Sequence, residues 1–107
     1  MGSSGEDLLR LLSALANPHR LRILAALGSG PNYVSQLARD LRMSRPLLHM
    51  HLQRLEAAGL VVGHLELSAD GKAMKYFDAA PFALEINPGL IAEAARTLDD
   101  NPDPAQP

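Results

Sequence analysis

The sequence predicts a small, mainly helical domain of the α+β class, with about five helices and one β-hairpin. Five segments carry apolar residues at the spacing of three and four residues that places them on one face of a helix. After Gly59 this period gives way to alternation, and an Asp70-Gly71 turn joins two extended segments. The chain has 107 residues, the length of one domain, and it has no cysteine for a disulfide or a thiolate site.

Three parts are expected along the chain. Residues 1–5, MGSSG, are interpreted as a flexible N-terminus or the scar of an expression tag, and residues 6–98 as the folded domain. Residues 99–107 are acidic and rich in proline, which predicts a disordered tail. No apolar run approaches the roughly 20 residues that span a bilayer, and no secretory signal is recognisable, so a cytoplasmic protein is expected.

Two amphipathic helices are predicted in the N-terminal quarter. The first runs from Glu6 to Ala16, with its leucines in one stripe. The second begins at Pro18, where a proline costs no hydrogen bond, and Asn17 before it is a favourable N-cap. It ends at about Leu27, before the segment GSGPN.

The middle of the chain predicts two further helices separated by a short link. Tyr33 and Val34 are interpreted as a stub of strand, and Ser35 as the cap of a third helix that reaches Leu41. After the link of residues 42–44, a fourth helix runs from its cap Ser44 to residue 58, and Gly59 is a left-handed stop. Two short helices joined in this way are typical of a helix-turn-helix.

A β-hairpin and a last helix follow. The hairpin pairs residues 60–68 with residues 73–79, and its outer part, residues 64–78, is interpreted as a wing. The segment PFALEINP is ambiguous and is interpreted as a short strand, before a last helix from Pro88 to Leu98. The order of elements therefore predicts a winged helix-turn-helix.

Charge is unevenly distributed along the chain. Its net value is −2, yet residues 17–54 carry six arginines against one aspartate, a local charge of +5. Such asymmetry indicates an anionic partner for one face, although chance or pairing between the two regions would produce the same pattern. No Gly-rich phosphate loop, paired-carboxylate cleft or Ser/His/Asp arrangement is recognisable, so no enzyme is expected.

The motifs ALANPHRLRILAAL and YVSQLARDLRMSRPLLHMHLQRLEAAGLV, with a hairpin ending KYF, resemble the ArsR-type family of bacterial winged-helix transcription regulators. The resemblance covers roughly Leu8 to Phe77 and implies a homodimer that binds promoter DNA of dyad symmetry. It further implies a dimer interface built from the first and last helices. The residues expected there are Leu8, Leu11, Leu12, Leu15, Leu90, Ile91, Ala94 and Leu98.

The fourth helix is the predicted recognition helix, lying in the major groove of DNA with its first turns against the base edges. On it, Arg45 suits a bidentate contact to guanine and Gln53 one to adenine. Lys72 and Lys75 of the wing are expected at the adjacent minor groove or backbone. The other predicted contacts are Ser44, Pro46 and His49 on the helix and, for phosphate groups, Arg20, Arg22, Arg39 and Arg42.

Two histidines of the recognition helix have separate predicted roles. His49 and His51 lie about 200° apart around a helix, so they cannot chelate one metal ion. His49 shares the polar face with Arg45, whereas His51 is predicted to be half-buried and to hold the helix against the body. Arg42 stands where the family often has glycine, and a left-handed backbone there would cost about 1 kcal/mol relative to glycine.

The metal sites usual in the family are not expected. One needs cysteines within VSQLARDL, and the other needs a histidine on the last helix, which offers only Glu93, Asp99 and Asp100. Nickel or zinc would suit an imidazole and carboxylate site, for which His64 is the least constrained candidate ligand. The signal is therefore expected from a small molecule or a partner co-regulator protein. A nickel- or zinc-responsive regulator and a winged-helix interaction module that does not bind DNA are the alternatives.

Overall fold

A computed structural model describes residues 4–98 of the chain. These residues form five helices and a three-stranded antiparallel sheet of strand order β1-β3-β2, as the predicted fold class requires. No described helix is long and apolar enough to cross a bilayer. In chain order the elements are α1 (Gly5–Leu15), α2 (Pro18–Leu27), β1 (Asn32–Tyr33), α3 (Val34–Leu41), α4 (Arg45–Ala57), β2 (Val61–Leu67), β3 (Ala73–Ala79) and α5 (Pro88–Arg96).

Helix α1 begins earlier than the sequence predicted. Ser4 is its N-cap, and the Ser4 hydroxyl accepts a hydrogen bond from the Asp7 amide at 3.0 Å. The Gly5 amide donates to the Thr97 hydroxyl at 2.6 Å, and a Cβ on Gly5 would collide with the Ala94 carbonyl. Ser4 and Gly5, assigned to a flexible N-terminus, therefore belong to a close crossing of α1 and α5. The interpretations of residues 1–3 and 99–107 fall outside the described residues.

The helix-turn-helix forms as predicted, except that α3 begins at a different residue and lacks the predicted cap. Helix α3 starts at Val34 after the strand residues 32–33, and its N-cap Tyr33 makes no side-chain cap bond, so Ser35 is not the cap. Arg42 has φ 54°, a left-handed conformation, and the Met43 amide donates to the Ala38 carbonyl at 2.9 Å. The predicted caps Asn17 and Ser44 are confirmed. The tight turn therefore places the start of α4 directly against α3.

One apolar core holds the helices and the base of the hairpin together. Leu48, Leu52 and Leu55 of α4 are buried, as their spacing predicted, and they pack with Ile23 and Leu27 of α2. Gly59, at φ 77°, ends α4 in the left-handed conformation expected of it. Other members of the core are Leu11, Ala14, Val34, Leu37, Ala38, Leu60, Val61 and Phe77.

The hairpin pairs in one regular register, from Val61 opposite Ala79 to Leu67 opposite Ala73. Strand β1 adds to the other edge of β3, so Tyr33 lies opposite Tyr76. Residues 80–87 form no strand, contrary to the interpretation of PFALEINP, and Pro81 has no N–H to donate to a ladder. Helix α5 ends at Arg96, two residues short of the predicted Leu98.

Candidate nucleic-acid interface

The exposed face of α4 carries the polar residues that the sequence placed there. Arg45, His49 and Gln53 are all exposed, and they follow one another at intervals of four residues along one side of the helix. The opposite side is the leucine stripe in the core, so the helix is anchored by one face and presents the other. The Ser44 hydroxyl accepts from the Leu47 amide at 3.3 Å and holds the first turn in place.

A surface cleft separates the N-terminal half of α4 from the wing. Arg45 and His49 line it from the helix, and Met74 and Lys75 line it from β3. The Lys75 ammonium nitrogen lies 5.2 Å from the centre of the Phe77 ring, a cation–π distance that orients this side chain. Cationic or ionisable groups from two elements therefore face one concave surface.

Most of the predicted phosphate contacts are exposed but lie outside this cleft. Arg22, Arg42 and Lys72 are exposed, as are Ser44 and Pro46 at the start of α4. Arg39 is also exposed, and its guanidinium donates to the Gln36 side chain at 2.7 Å. Exposure leaves these groups able to approach a polyanion.

Arg20 is the exception, because its side chain points into the protein. The residue is only 8% exposed, and its guanidinium donates to the Ala14 carbonyl at 2.6 Å and to the Ser13 carbonyl at 3.2 Å. Arg20 therefore does not belong to the DNA-facing surface that the sequence predicted for it. A lone arginine in a basic segment cannot be distinguished from its neighbours by pattern, and only the packing of α1, α2 and α4 reveals its partners.

His51 is more deeply buried than predicted, with 3% of its surface exposed. Its Nδ1 lies 3.1 Å from the Arg20 Nη1, and its ring centre is 5.4 Å from that of His19. Burial lowers the pKa of the His51 imidazole from its usual range, and the positive charge of Arg20 lowers it further. His49 and His51 thus lie on opposite sides of α4, one exposed and one inside, as the helix geometry required.

An aromatic row crosses the outer face of the sheet, and the sequence analysis missed it. Tyr33, Tyr76 and His64 occupy neighbouring positions on β1, β3 and β2, and the His64 ring stacks on Tyr76 with 4.9 Å between ring centres. The Tyr33 hydroxyl donates to the Glu66 carboxylate at 3.0 Å, which raises the pKa of Tyr33. No group of three His, Asp or Glu side chains able to hold a metal occurs among residues 4–98, around His64 or elsewhere.

The predicted dimer residues divide into three groups by burial. Leu11 belongs to the core and Ala94 is buried at the α1–α5 crossing, so both are already covered within one chain. Ile91 of α5 and Leu98, two residues beyond its end, are exposed. The half-buried members of the predicted set are Leu8, Leu12, Leu15 and Leu90.

Comparison with known proteins begins with the sequence. Residues 17–62 match the model of the bacterial regulatory proteins of the arsR family. The uncharacterized HTH-type transcriptional regulator MJ0229 of Methanocaldococcus jannaschii is 35% identical over 79% of this chain and 88% of its own. The HTH-type transcriptional regulator CmtR of Mycobacterium tuberculosis is 44% identical over 64% of this chain, which spans only 55% of that relative.

A solved structure agrees with these relatives. The homodimeric winged helix-turn-helix DNA-binding domain of Mb0332 from Mycobacterium bovis, titled a possible ArsR-family transcriptional regulator, is 30% identical. It matches with a TM-score of 0.64, covering 71% of this chain and 66% of that one. The winged helix-turn-helix fold, the matched motif and these relatives agree: the chain belongs to the ArsR family of DNA-binding transcriptional regulators.

Proposed function

We propose that α4 reads the major groove of a dyad-symmetric operator, with the wing against the adjacent groove or backbone. The observation that carries this proposal is the polar face of Arg45, His49 and Gln53, which is exposed on a helix whose other face is locked into the core. A recognition helix contacts bases through its N-terminal turns, and Arg45 and His49 lie in the first two turns of α4, with Gln53 one turn further along the same face. Winged-helix interaction without DNA is the less favoured alternative, since that role would not require a cationic reading face.

The proposal assigns different tasks to the groups around the cleft. Arg45 makes the bidentate contact to a guanine edge and Gln53 one to an adenine edge, so both specify sequence. Lys75, across the cleft on β3, approaches the backbone and contributes affinity without specificity. Arg22, Arg39, Arg42 and Lys72 are proposed phosphate contacts of the same kind, and Arg20 is not one of them.

We further propose that the chain acts as a homodimer through α1 and α5. The homodimeric domain of Mb0332 supports this arrangement, and so do the exposed apolar side chains of Ile91 in α5 and of Leu98 just after it. Leu8, Leu12, Leu15 and Leu90 remain in the proposed interface. A two-fold axis through it would place two copies of α4 on successive turns of the major groove.

The inducing signal is proposed to come from a small molecule or from a partner co-regulator protein. This proposal is supported by the lack of a three-ligand metal cluster in the described part of the chain. Nickel or zinc at a site that includes His64 is the alternative. Isothermal titration with each metal separates the two, since stoichiometric sub-micromolar binding that changes DNA affinity would contradict a signal from elsewhere.

The test of the reading face uses a duplex selected by the protein from a random pool. Arg45→Ala is expected to weaken binding to this duplex by about 1–3 kcal/mol in fluorescence anisotropy and to relax the base preference at one position. Arg96→Ala is the matched control, because it removes the same charge from an exposed arginine of α5 that pairs with Glu93. Equal losses in the two variants, with the base preference intact, would refute the assigned face.

A further inference from the structure

The side chain of Arg20 joins three helices at one point. Its Nε and Nη2 donate to the carbonyls of Ala14 and Ser13 in the last turn of α1, and its Nη1 lies 3.1 Å from His51 on α4. The last carbonyls of a helix have no partner within it and carry the negative end of its dipole, so a guanidinium is well matched to them. No basic residue of α1 itself occupies that turn, and Arg20 of α2 supplies the charge.

The third contact determines the state of His51. A guanidinium only donates, so Nδ1 of His51 must accept and the imidazole must be neutral. Its proton then lies on Nε2, which has no hydrogen-bond partner among residues 4–98. The contact is therefore a hydrogen bond from a fixed, planar cation on α2 to the buried side of α4, and it exists only while His51 is uncharged.

We propose that Arg20 is a positioning residue for DNA binding: by tying the end of α1 to α4 through His51, it sets the angle between these two helices. This inference rests on the proposed dimer, in which α1 belongs to the interface and α4 to the DNA. In such a dimer the separation of the two copies of α4 depends on the angle between α1 and α4 in each chain. The guanidinium is rigid, and a flexible cation of similar size would not fix that angle.

Among the described residues, the ionisable groups that lower the pKa of His51 are basic side chains. His19 and Arg20 face it from α2, and Arg54 lies near it on α4 itself. Arg10 of α1, which pairs with the Asp7 carboxylate at 3.3 Å, lines the adjoining cleft together with Arg20 and Arg54. A proton on His51 would therefore remove the acceptor from Arg20 and place two positive charges at the joint. The coupling between α1 and α4 is expected to weaken in acid.

The sign of this effect follows from burial. In the unfolded chain a histidine binds a proton below about pH 6.5, whereas burial in the folded protein disfavours the proton on His51. The stability that the Arg20–His51 contact contributes is therefore fully present above that pH and is lost as pH falls below it. His49 is a second imidazole of α4, exposed on the proposed DNA face. It has to be replaced by glutamine in every protein of a pH series.

The test measures how precisely the protein discriminates the spacing of two half-sites. The probes are duplexes that carry two copies of a half-site selected by the unaltered protein, with the centre-to-centre distance changed in steps of one base pair around one helical turn. Arg20→Lys keeps the positive charge and loses the planar guanidinium, whose three nitrogens make the contacts to Ala14, Ser13 and His51. We expect the ratio of affinities for the preferred and the shifted spacings to fall about tenfold, the loss that one charged hydrogen bond corresponds to.

A role in stability alone would lower the affinity for all spacings by one common factor. An unchanged ratio in Arg20→Lys, with a cooperative thermal transition, therefore overturns the inference. If the unaltered protein shows no spacing preference, the proposed dimer is refuted and the inference with it. This outcome is distinguishable from a failure of the inference alone, because it is measured without any variant.

If Arg20→Lys does not fold, His51→Gln decides the question, because glutamine offers an acceptor to Arg20 and does not titrate. In the His49→Gln background, the spacing ratio should be constant above about pH 6.5 and fall below that pH with His51 present, and it should stay constant throughout in His51→Gln. Parallel pH profiles in the two proteins would overturn the inference.

Discussion

Helix α4 and the wing both carry proposed DNA contacts, but the protein holds them in different ways. The inward leucines of α4, residues 48, 52 and 55, are at most 1% exposed. The hairpin is buried at its base, where Val61 and Phe77 are 2% exposed, whereas Leu65 and Leu67 of the wing are 75% and 74% exposed. The reading helix is thus part of the core, and the outer wing is a two-stranded ribbon held by its own ladder.

This difference teaches which element can be altered independently. A change on the inner side of α4 affects the whole domain, because its leucines contact α2 and the base of the sheet. A change at the outer wing has few neighbours to disturb. We therefore expect α4 to carry the functions that depend on precise position. We expect the wing to carry the functions that depend on charge and reach.

The largest expected effect comes from the core side of α4. Leu52→Ala should lower the free energy of unfolding by about 2–5 kcal/mol, because it removes buried methyl groups and leaves a cavity. Urea denaturation followed by circular dichroism measures this loss. Leu21→Ala is the matched control, since Leu21 is 53% exposed on α2 and the same deletion should cost within about 0.5 kcal/mol. Similar midpoints for both variants would contradict the described core.

Smaller changes in the free energy of unfolding, of opposite sign, are expected for two glycine substitutions at and before the turn that precedes α4. Arg42 is left-handed, so Arg42→Gly should raise the free energy of unfolding by up to about 1 kcal/mol. Arg39→Gly, three residues earlier in α3, should lower it by about 1 kcal/mol because glycine weakens a helix interior. Thermal unfolding of both variants checks the signs, and a loss of stability in Arg42→Gly would contradict the left-handed turn.

The smallest effect is expected at the outer wing. Leu67→Thr should change the free energy of unfolding by no more than about 0.5 kcal/mol, because the side chain is exposed and threonine suits a strand. The contrast is Val61→Thr at the buried base, where an unpaired hydroxyl should cost about 1–3 kcal/mol. A large loss in Leu67→Thr would indicate that the outer wing is covered in solution, by a second copy or another partner.

Local pattern was sufficient for most elements, and it was wrong where contacts between distant segments decide. Local chemistry decides the caps Asn17 and Ser44, the leucine stripe of α4 and the Asp70-Gly71 turn of the hairpin, because each depends on residues within a few positions of each other. The start of α1 could not be predicted, because Gly5 is held by Thr97 across 92 residues of chain. Whether residues 80–87 pair as a strand likewise depends on contacts with distant strands, and they do not pair.

The proposed DNA face shows the same division. The sequence by itself determined that Arg45, His49 and Gln53 share one side of a helix and that His51 lies opposite, because helical geometry needs no tertiary information. Only the tertiary structure decided that Arg20 turns inward to Ala14, Ser13 and His51, that Leu11 and Ala94 are already covered, and that Tyr33, Tyr76 and His64 form a row. The period of a helix or strand specifies on which side of that element a residue lies. The partner of its side chain depends on which other elements pack against that side.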